Sequence, residues 1–287
     1  MKSILGIGNA LTDILAVLPD DTLLNTYHLP KGSMQHVDME TGDQIWQALK
    51  PLGVKYVAGG SAANTISCTA IFGMPSGFIG KIGGDELGLL FKSDQEQYGV
   101  RTRLLTSEHS SGRSMVFVSG GNAERTFAVY LGAALDLTAE DLNPAWFEGY
   151  DYFHIEGYLV QNQDLVRRAV EYARAAGCRI SLDLASYNVV ESNLAFLHDI
   201  VEKYVDIVFA NCIAPWPADP VDATGAGDTY AAGFLYADSL GLPLKACGEI
   251  GSIIAAKVVE VIGTKIDIPR WRVAKQQIRE LIGTYGQ

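Results

Sequence analysis

Short apolar runs rich in β-branched residues alternate with helical stretches along most of this chain. That rhythm restricts the fold to the α/β class with a largely parallel sheet, because parallel strands need crossover helices between them. Strands are predicted at 3–8, 76–82, 151–155, 179–182 and 205–210, the last centred on Val-Asp-Ile-Val-Phe-Ala. Helices are predicted over 61–72, 86–98, 164–176 and 194–204. Several open at Ser, Thr or Asp and close at glycine, as Ala176-Gly177 does. From Gly225 onward the periodicity is mostly helical.

Two stretches break the rhythm. Residues 14–37 and 102–130 alternate polar and apolar positions, as in Arg113-Ser-Met-Val-Phe-Val-Ser119. Alternation predicts strands with one wet face. The two stretches are read as one small accessory sheet, a lid on the edge of the α/β body. No repeat, low-complexity tract or long linker divides the chain, so residues 1–287 are expected to form one domain plus that lid.

Composition excludes other classes. With 287 residues, 48% of them hydrophobic, the chain can bury one large core or two modest ones. A formal charge of −11 opposes phosphodiester backbones, so nucleic-acid binding is not expected. Phosphate, if handled, needs a local device set against that field. The apolar start Ile4-Leu5-Gly6-Ile7-Gly8 is interrupted by Asn9, Thr12 and Asp13, which argues against a signal peptide. No window is apolar enough to span a membrane. Cys68, Cys178, Cys212 and Cys247 are far apart and read as buried free thiols, which suits a cytoplasmic protein. The five histidines show no metal-ligand spacing.

The sharpest chemical signal is Val221-Asp222-Ala223-Thr224-Gly225-Ala226-Gly227-Asp228-Thr229, leading into an amphipathic helix. Small residues at 225–227 free the backbone N–H groups, and a helix N-terminus supplies an anion site without lysine. Asp228, in the first turn beside that site, is placed to take a proton from an attacking hydroxyl. Alone, the pattern also fits ordinary caps around a tight turn. Gly59-Gly60-Ser61 with Asn64 opens another helix, and the glycines and amide suit vicinal hydroxyls; a glycine turn with a serine cap is the plainer reading. Gly6-Ile-Gly-Asn9-Ala-Leu-Thr-Asp13 leaves the first strand, where α/β folds collect ligand contacts. A dinucleotide fingerprint fails there, since Leu11 stands where the third glycine belongs, and no G-x-x-x-x-G-K-[ST] occurs. The cluster from Gly80 to Gly88 is read as structural, with Asp85 a helix cap. Arg125, on a predicted lid strand, either closes over an anionic or hydroxylated ligand or stands in solvent.

In chain order these pieces resemble the ribokinase-like (PfkB) family of carbohydrate and nucleoside kinases. Gly59-Gly60 with Asn64 is similar to the amino-terminal signature, and 221–228 to the highly specific carboxy-terminal one. Arg125-Thr-Phe followed by Leu131-Gly-Ala-Ala134 resembles the adenosine-kinase-like branch. The resemblance implies a doubly wound, mostly parallel sheet flanked by helices, with a β lid. It implies ATP-dependent phosphorylation of a primary hydroxyl on a sugar or ribonucleoside, with Mg²⁺. Asp228 would be the base, and Gly225, Ala226 and Gly227 the anion hole. Asn9, Asp13, Gly59, Gly60, Asn64 and Arg125 would surround the acceptor. Asp222 and Thr224, with Gly263 a further candidate, would hold a monovalent cation such as K⁺. Asn211 and Thr224 would face the nucleotide. A homodimer through the lid is the oligomer this reading suggests.

The chain also departs from the family. Cys212, Ile213 and Ala214 follow Asn211, so the glutamate of the family's Asn-x-x-Glu motif is absent. Nine residues separate Asn211 from Val221, where relatives carry at least one more helix-and-strand segment. Either the protein lost that segment or the sequence lacks residues that the gene encodes. The second reading is favoured, because losing strands exposes a sheet edge. The departure keeps a second function open, a ligand-binding or regulatory protein without turnover. A nicotinamide-dependent oxidoreductase has only the Gly6/Gly8 turn in its favour.

Overall fold

A computed structural model describes residues 2–119, 125–210 and 216–285. The chain enters through β1 (Ile4–Ile7), turns over three residues into β2 (Leu11–Leu18), and continues through α1 (Thr22–Thr26), β3 (Met34–His36), α2 (Met39–Leu49) and β4 (Lys55–Gly59). Next come α3 (Ser61–Ile71), β5 (Ser76–Gly83), α4 (Glu86–Gln97), β6 (Arg101–Ser107), β7 (Gly112–Ser119) and β8 (Arg125–Tyr130). Then β9 (Tyr152–Ile155), α5 (Gln163–Ala175), β10 (Arg179–Asp183), α6 (Tyr187–Ser192), α7 (Leu194–Tyr204) and β11 (Ile207–Phe209) complete the strands. Helices α8 (Ala226–Ser239), α9 (Leu244–Val258) and α10 (Ile268–Tyr285) close the chain.

The large sheet has the order β11-β10-β9-β1-β5-β6, and among the described residues every pairing in it is parallel. Its central strands are buried on both faces, which is why they read as unbroken apolar runs. Leu5, Ile7, Phe153, Ile155, Ile180 and Leu182 pack on one face with Val166 and Val170 of α5 and Leu197 and Ile200 of α7. Ile4, Phe78 and Phe209 lie in the opposite layer with Ala62 and Ile66 of α3 and Ala231 and Leu235 of α8. This is the doubly wound sheet the resemblance implied. The order reverses direction about β1, so the carboxyl ends of β1, β9 and β10 open on one crevice.

The small sheet has the order β3-β8-β7-β2-β4. Two expectations need correction here. The strand at 101–107, assigned to the lid by its alternation, pairs in parallel with β5 and is the edge of the large sheet. Its alternation reflects an edge strand with a half-open face, so within 102–130 only the part from Gly112 onward belongs to the lid. Conversely, β4 joins the lid by antiparallel pairing with β2, Asp13 opposite Val57. The wet face of the lid is also not open to solvent, since β2 and β7 are buried almost throughout. Ile14, Ala16, Met115, Phe117 and Ala128 pack with Ile45 and Leu49 of α2. The alternate positions Asp13, Ser114, Phe127 and Val129 face a cavity between lid and body.

Candidate active site

That cavity measures about 340 Å³ and collects residues from both sheets and from the starts of α3 and α8. Helix α8 follows its N-cap Gly225, whose φ of +77° only glycine adopts without strain. The first intrahelical bond is Thr229 N–H to the Gly225 carbonyl at 2.9 Å, so the amides of Gly227 and Asp228 precede the helical ladder. Thr224, Gly225, Ala226, Gly227 and Asp228 all line the cavity, so a helix N-terminus of the kind that can bind anions stands at one corner of it.

Asp228 is brought against α3. Ser61 Oγ donates to its Oδ1 at 2.8 Å, and Asn64 Nδ2 donates to its Oδ2 at 3.0 Å. Burial, reinforced by the charge of Asp183, pushes the Asp228 carboxyl up to about 7; the bonds from Asn64 and Ser61 and the charge of Lys265 oppose that. A carboxylate tuned near neutrality is suited to accept a proton. Asn64 Oδ1 is buried without a hydrogen-bond partner among the described residues, leaving an acceptor free for a ligand hydroxyl.

Asp13 sits on β2 opposite these groups, and burial pushes its carboxyl up to about 7 as well. The glycine pair explains its position. A Cβ on Gly59 would lie 2.2 Å from Asp13 Oδ1, and one on Gly60, whose φ is +88°, would lie 2.3 Å from the Asn9 carbonyl. Gly60 lines the cavity, whereas Gly59 acts from behind by letting Asp13 approach. Asn9 lines the cavity, but its side-chain amide is committed, donating from Nδ2 to Glu156 Oε1 at 2.6 Å.

Sequence reasoning missed several groups. Glu156, at the end of β9, accepts from Asn9 N–H at 3.1 Å and from Ala62 N–H at 3.1 Å, pinning the β1 turn to α3. Burial raises it to about 7. Asp183 ends β10, lines the cavity, and is raised by burial. Both residues follow parallel strands at their carboxyl ends, the signal that could have found them. Lys265 stands behind the wall, 3.9 Å from Asp94, with its Nζ donating to Ser67 Oγ at 3.3 Å.

Arg125 differs from both readings of it. It neither stands in solvent nor lines the cavity. It is buried, and its Nη2 lies 2.6 Å from Oδ2 of the fully buried Asp222. Asp222 Oδ1 also accepts from Thr224 N–H at 2.9 Å, and Oδ2 from Gly263 N–H at 2.6 Å. Asn211 lies outside the described residues. Asp85 caps α4 by accepting from Gly88 N–H at 2.9 Å, and Lys81 pairs with Asp141 at 2.8 Å, so that cluster serves the scaffold. Cys68, Cys178 and Cys247 are buried and free; Cys212 is outside the described residues. Among the described residues no group of three His, Cys, Asp or Glu could hold a metal, and no helix is long and apolar enough to cross a membrane.

A doubly wound sheet, a β lid and a glycine anion turn with a carboxylate at its mouth define a small-molecule phosphotransferase site. The family model described as pfkB family carbohydrate kinase matches residues 45–213 and 211–271. The chain belongs to that family and to its sugar and nucleoside kinases. It is 25% identical over 242 residues to an uncharacterized sugar kinase of Archaeoglobus fulgidus, covering 69% of this chain and 96% of that one. It is 28% identical over 220 residues to adenosine kinase 2 of Arabidopsis thaliana, covering 72% of this chain and 62% of that enzyme, under two thirds of its length. Its fold matches the crystal structure of adenosine kinase from Sinorhizobium meliloti with a TM-score of 0.84 at 28% identity, over 96% of this chain and 99% of that one. These relatives place the chain in the adenosine-kinase-like branch, and they give no support to a protein without turnover.

Proposed function

We propose that the protein transfers the γ-phosphoryl group of ATP to a primary hydroxyl of an uncharged sugar or ribonucleoside. One observation carries the reading: Asp228, held by Ser61 and Asn64, stands at the mouth of the 225–227 turn inside a lidded cavity. Asp13 and Asn64 orient the acceptor, and Asp228 takes the hydroxyl proton as the oxygen attacks. Amides of the turn bear charge that spreads over the transferred oxygens. Mg²⁺ supplies further charge neutralisation when it arrives with ATP. The described residues offer no three-ligand cage, which suits an ion held mainly by phosphate and water oxygens.

The lining sharpens the acceptor. Asp13, Glu156, Asp183 and Asp228 contribute carboxylates, and no lysine or arginine lines the cavity among the described residues. An acceptor already carrying phosphate would be repelled. The far wall is apolar, built from Phe127, Leu131, Ala134, Leu137, Leu159 and Leu165, with Gln161 and Asn162 beside it. That wall is wasted on a free sugar and fits a flat base, so a ribonucleoside is the favoured acceptor.

The two family matches meet at 211–213, which supports the reading that a segment found in relatives is absent between Asn211 and Val221. Val17, Met34 and Met39 leave exposed apolar surface on and beside the lid, which supports a homodimer there. A coupled ATP-consumption screen over sugars, nucleosides and sugar phosphates tests the proposal. Turnover of a nucleoside, lost in Asp228→Asn, is expected; turnover confined to sugar phosphates would overturn it.

A further inference from the structure

The family resemblance predicts a monovalent cation against Asp222, and the described residues do not fit one there. Asp222 is fully buried, and both of its oxygens are taken. Oδ1 accepts from Thr224 N–H at 2.9 Å, Oδ2 accepts from Gly263 N–H at 2.6 Å, and Arg125 Nη2 lies 2.6 Å from the same Oδ2. The Arg125 side chain is 6% exposed. A guanidinium stays charged under all ordinary conditions, so this carboxylate is neutralised by a cation the chain itself carries. An alkali ion on the same oxygens would meet that charge at contact distance, with little water to screen it.

We infer that Arg125 is a positioning residue that does the work of a monovalent cation. It acts through Asp222. By neutralising that buried carboxylate it lets Asp222 grip the amides of Thr224 and Gly263, one on each side of the anion turn. The N–H groups of Val221 and Asp222 complete the clasp on the Val259 carbonyl at 2.7 and 3.0 Å. Gly225 is seated against Thr264, the residue after Gly263, with only 3.0 Å to spare for a Cβ. The turn is therefore set without K⁺. Because Arg125 opens strand β8 of the lid, the turn is also tied to the lid's position.

The inference rests on reading 225–227 as the phosphate-binding turn, but its first readout needs no turnover. Thermal melting of the nucleotide-free protein is compared in KCl and in choline chloride, each at about 0.15 M so that general screening is equal. Phosphoryl transfer is then measured in the same two salts. The wild type is expected to melt at the same temperature in both and to turn over at rates within about twofold, far below the tenfold that 1.4 kcal/mol would give. Arg125→Gln, which leaves Asp222 uncompensated, is expected to melt higher in KCl than in choline chloride and to regain at least about tenfold activity with K⁺. Arg125→Lys, keeping the charge, is expected to remain indifferent to K⁺.

A wild type stabilised or activated specifically by K⁺ overturns the inference. So does a folded Arg125→Gln protein that responds alike to both salts, since a merely structural arginine would be lost without rescue by an ion. If Arg125→Gln fails to fold, the wild-type comparison decides alone. A protein inactive on every acceptor but melting as stated would refute the proposed reaction and leave this inference standing.

Discussion

Replacing Asp228 by asparagine is expected to abolish most activity and yet stabilise the protein above neutral pH. Burial raises this carboxyl from 3.8 to about 7. The sign follows from proton counting. Between those two values the folded chain holds a proton that the unfolded chain has released, so stability falls as pH rises, and the full penalty is present above pH 7. At about 1.4 kcal/mol per pH unit, the raised pKa of Asp228 costs the fold about 4 kcal/mol at pH 8, where the carboxyl is ionised, but only about 2 at pH 5.5, where the folded chain keeps it protonated. Contact with cavity water trims both figures, leaving about 1–2 kcal/mol as the pH-dependent part.

Asparagine removes that penalty and keeps both partners. Its oxygen accepts from Asn64 Nδ2, while its amide donates to Ser61 Oγ, which can accept. Urea denaturation of wild type and Asp228→Asn at pH 5.5 and pH 8 is the assay, read beside the coupled kinase assay. A stability advantage that grows by ~1–2 kcal/mol toward pH 8, with kcat down about 10²–10⁴-fold, is expected. Equal stability changes at both pH values would refute the burial argument. A kcat within twofold of wild type would refute the role of Asp228 as base.

The remaining expectations concern the same cavity. For the wild type, kcat/KM for the acceptor should fall below pH 7, because a protonated Asp228 cannot take the hydroxyl proton; Asp13, also at about 7 and raised in part by the charge of Asp228, makes the two titrate as a coupled pair, so the fall should be broader than that of a single acid. Gly59→Ala forces a methyl to 2.2 Å from Asp13 Oδ1 and should cost about 1–3 kcal/mol while raising acceptor KM more than it lowers kcat, as steady-state kinetics would show. Gly225→Ala puts a side chain at φ +77° and within 3.0 Å of Thr264 Cγ2; about 1–2 kcal/mol of strain and a loss in kcat at least tenfold are expected, with acceptor affinity by calorimetry unchanged.

The parts of this site that sequence made legible are local ones. The 225–227 turn, its Asp228, the Gly59-Gly60 pair and Asn64 lie in contiguous stretches, where glycine and capping residues state the backbone geometry directly. The strands of the large sheet were legible for the same kind of reason, because burial on both faces writes an unbroken apolar run. Glu156 and Asp183 were not, since each is a single acid after an ordinary strand, and only the strand order places them in the cavity. The lid misled for a physical reason too. Alternation records one apolar and one polar face, but a polar face turned on a ligand cavity reads like one turned on bulk water.

Arg125 shows the same limit most clearly. Its partner Asp222 lies 97 positions away, and no local pattern distinguishes a solvated lid arginine from one buried against a carboxylate. The pairing also resolves the electrostatic problem set by a net charge of −11. Around the cavity, four carboxylates face inward, while the nearest cations, Arg125 and Lys265, stand behind the wall. A basic side chain inside would pair with those acids and fill the space the acceptor needs. Placed behind the wall, the same charges hold Asp222 and oppose the rise of Asp13 and Asp228, and under the proposed function the backbone amides of the turn are left to meet phosphate. On that proposal, phosphate chemistry in so acidic a chain depends on separating the groups that neutralise from the groups that bind.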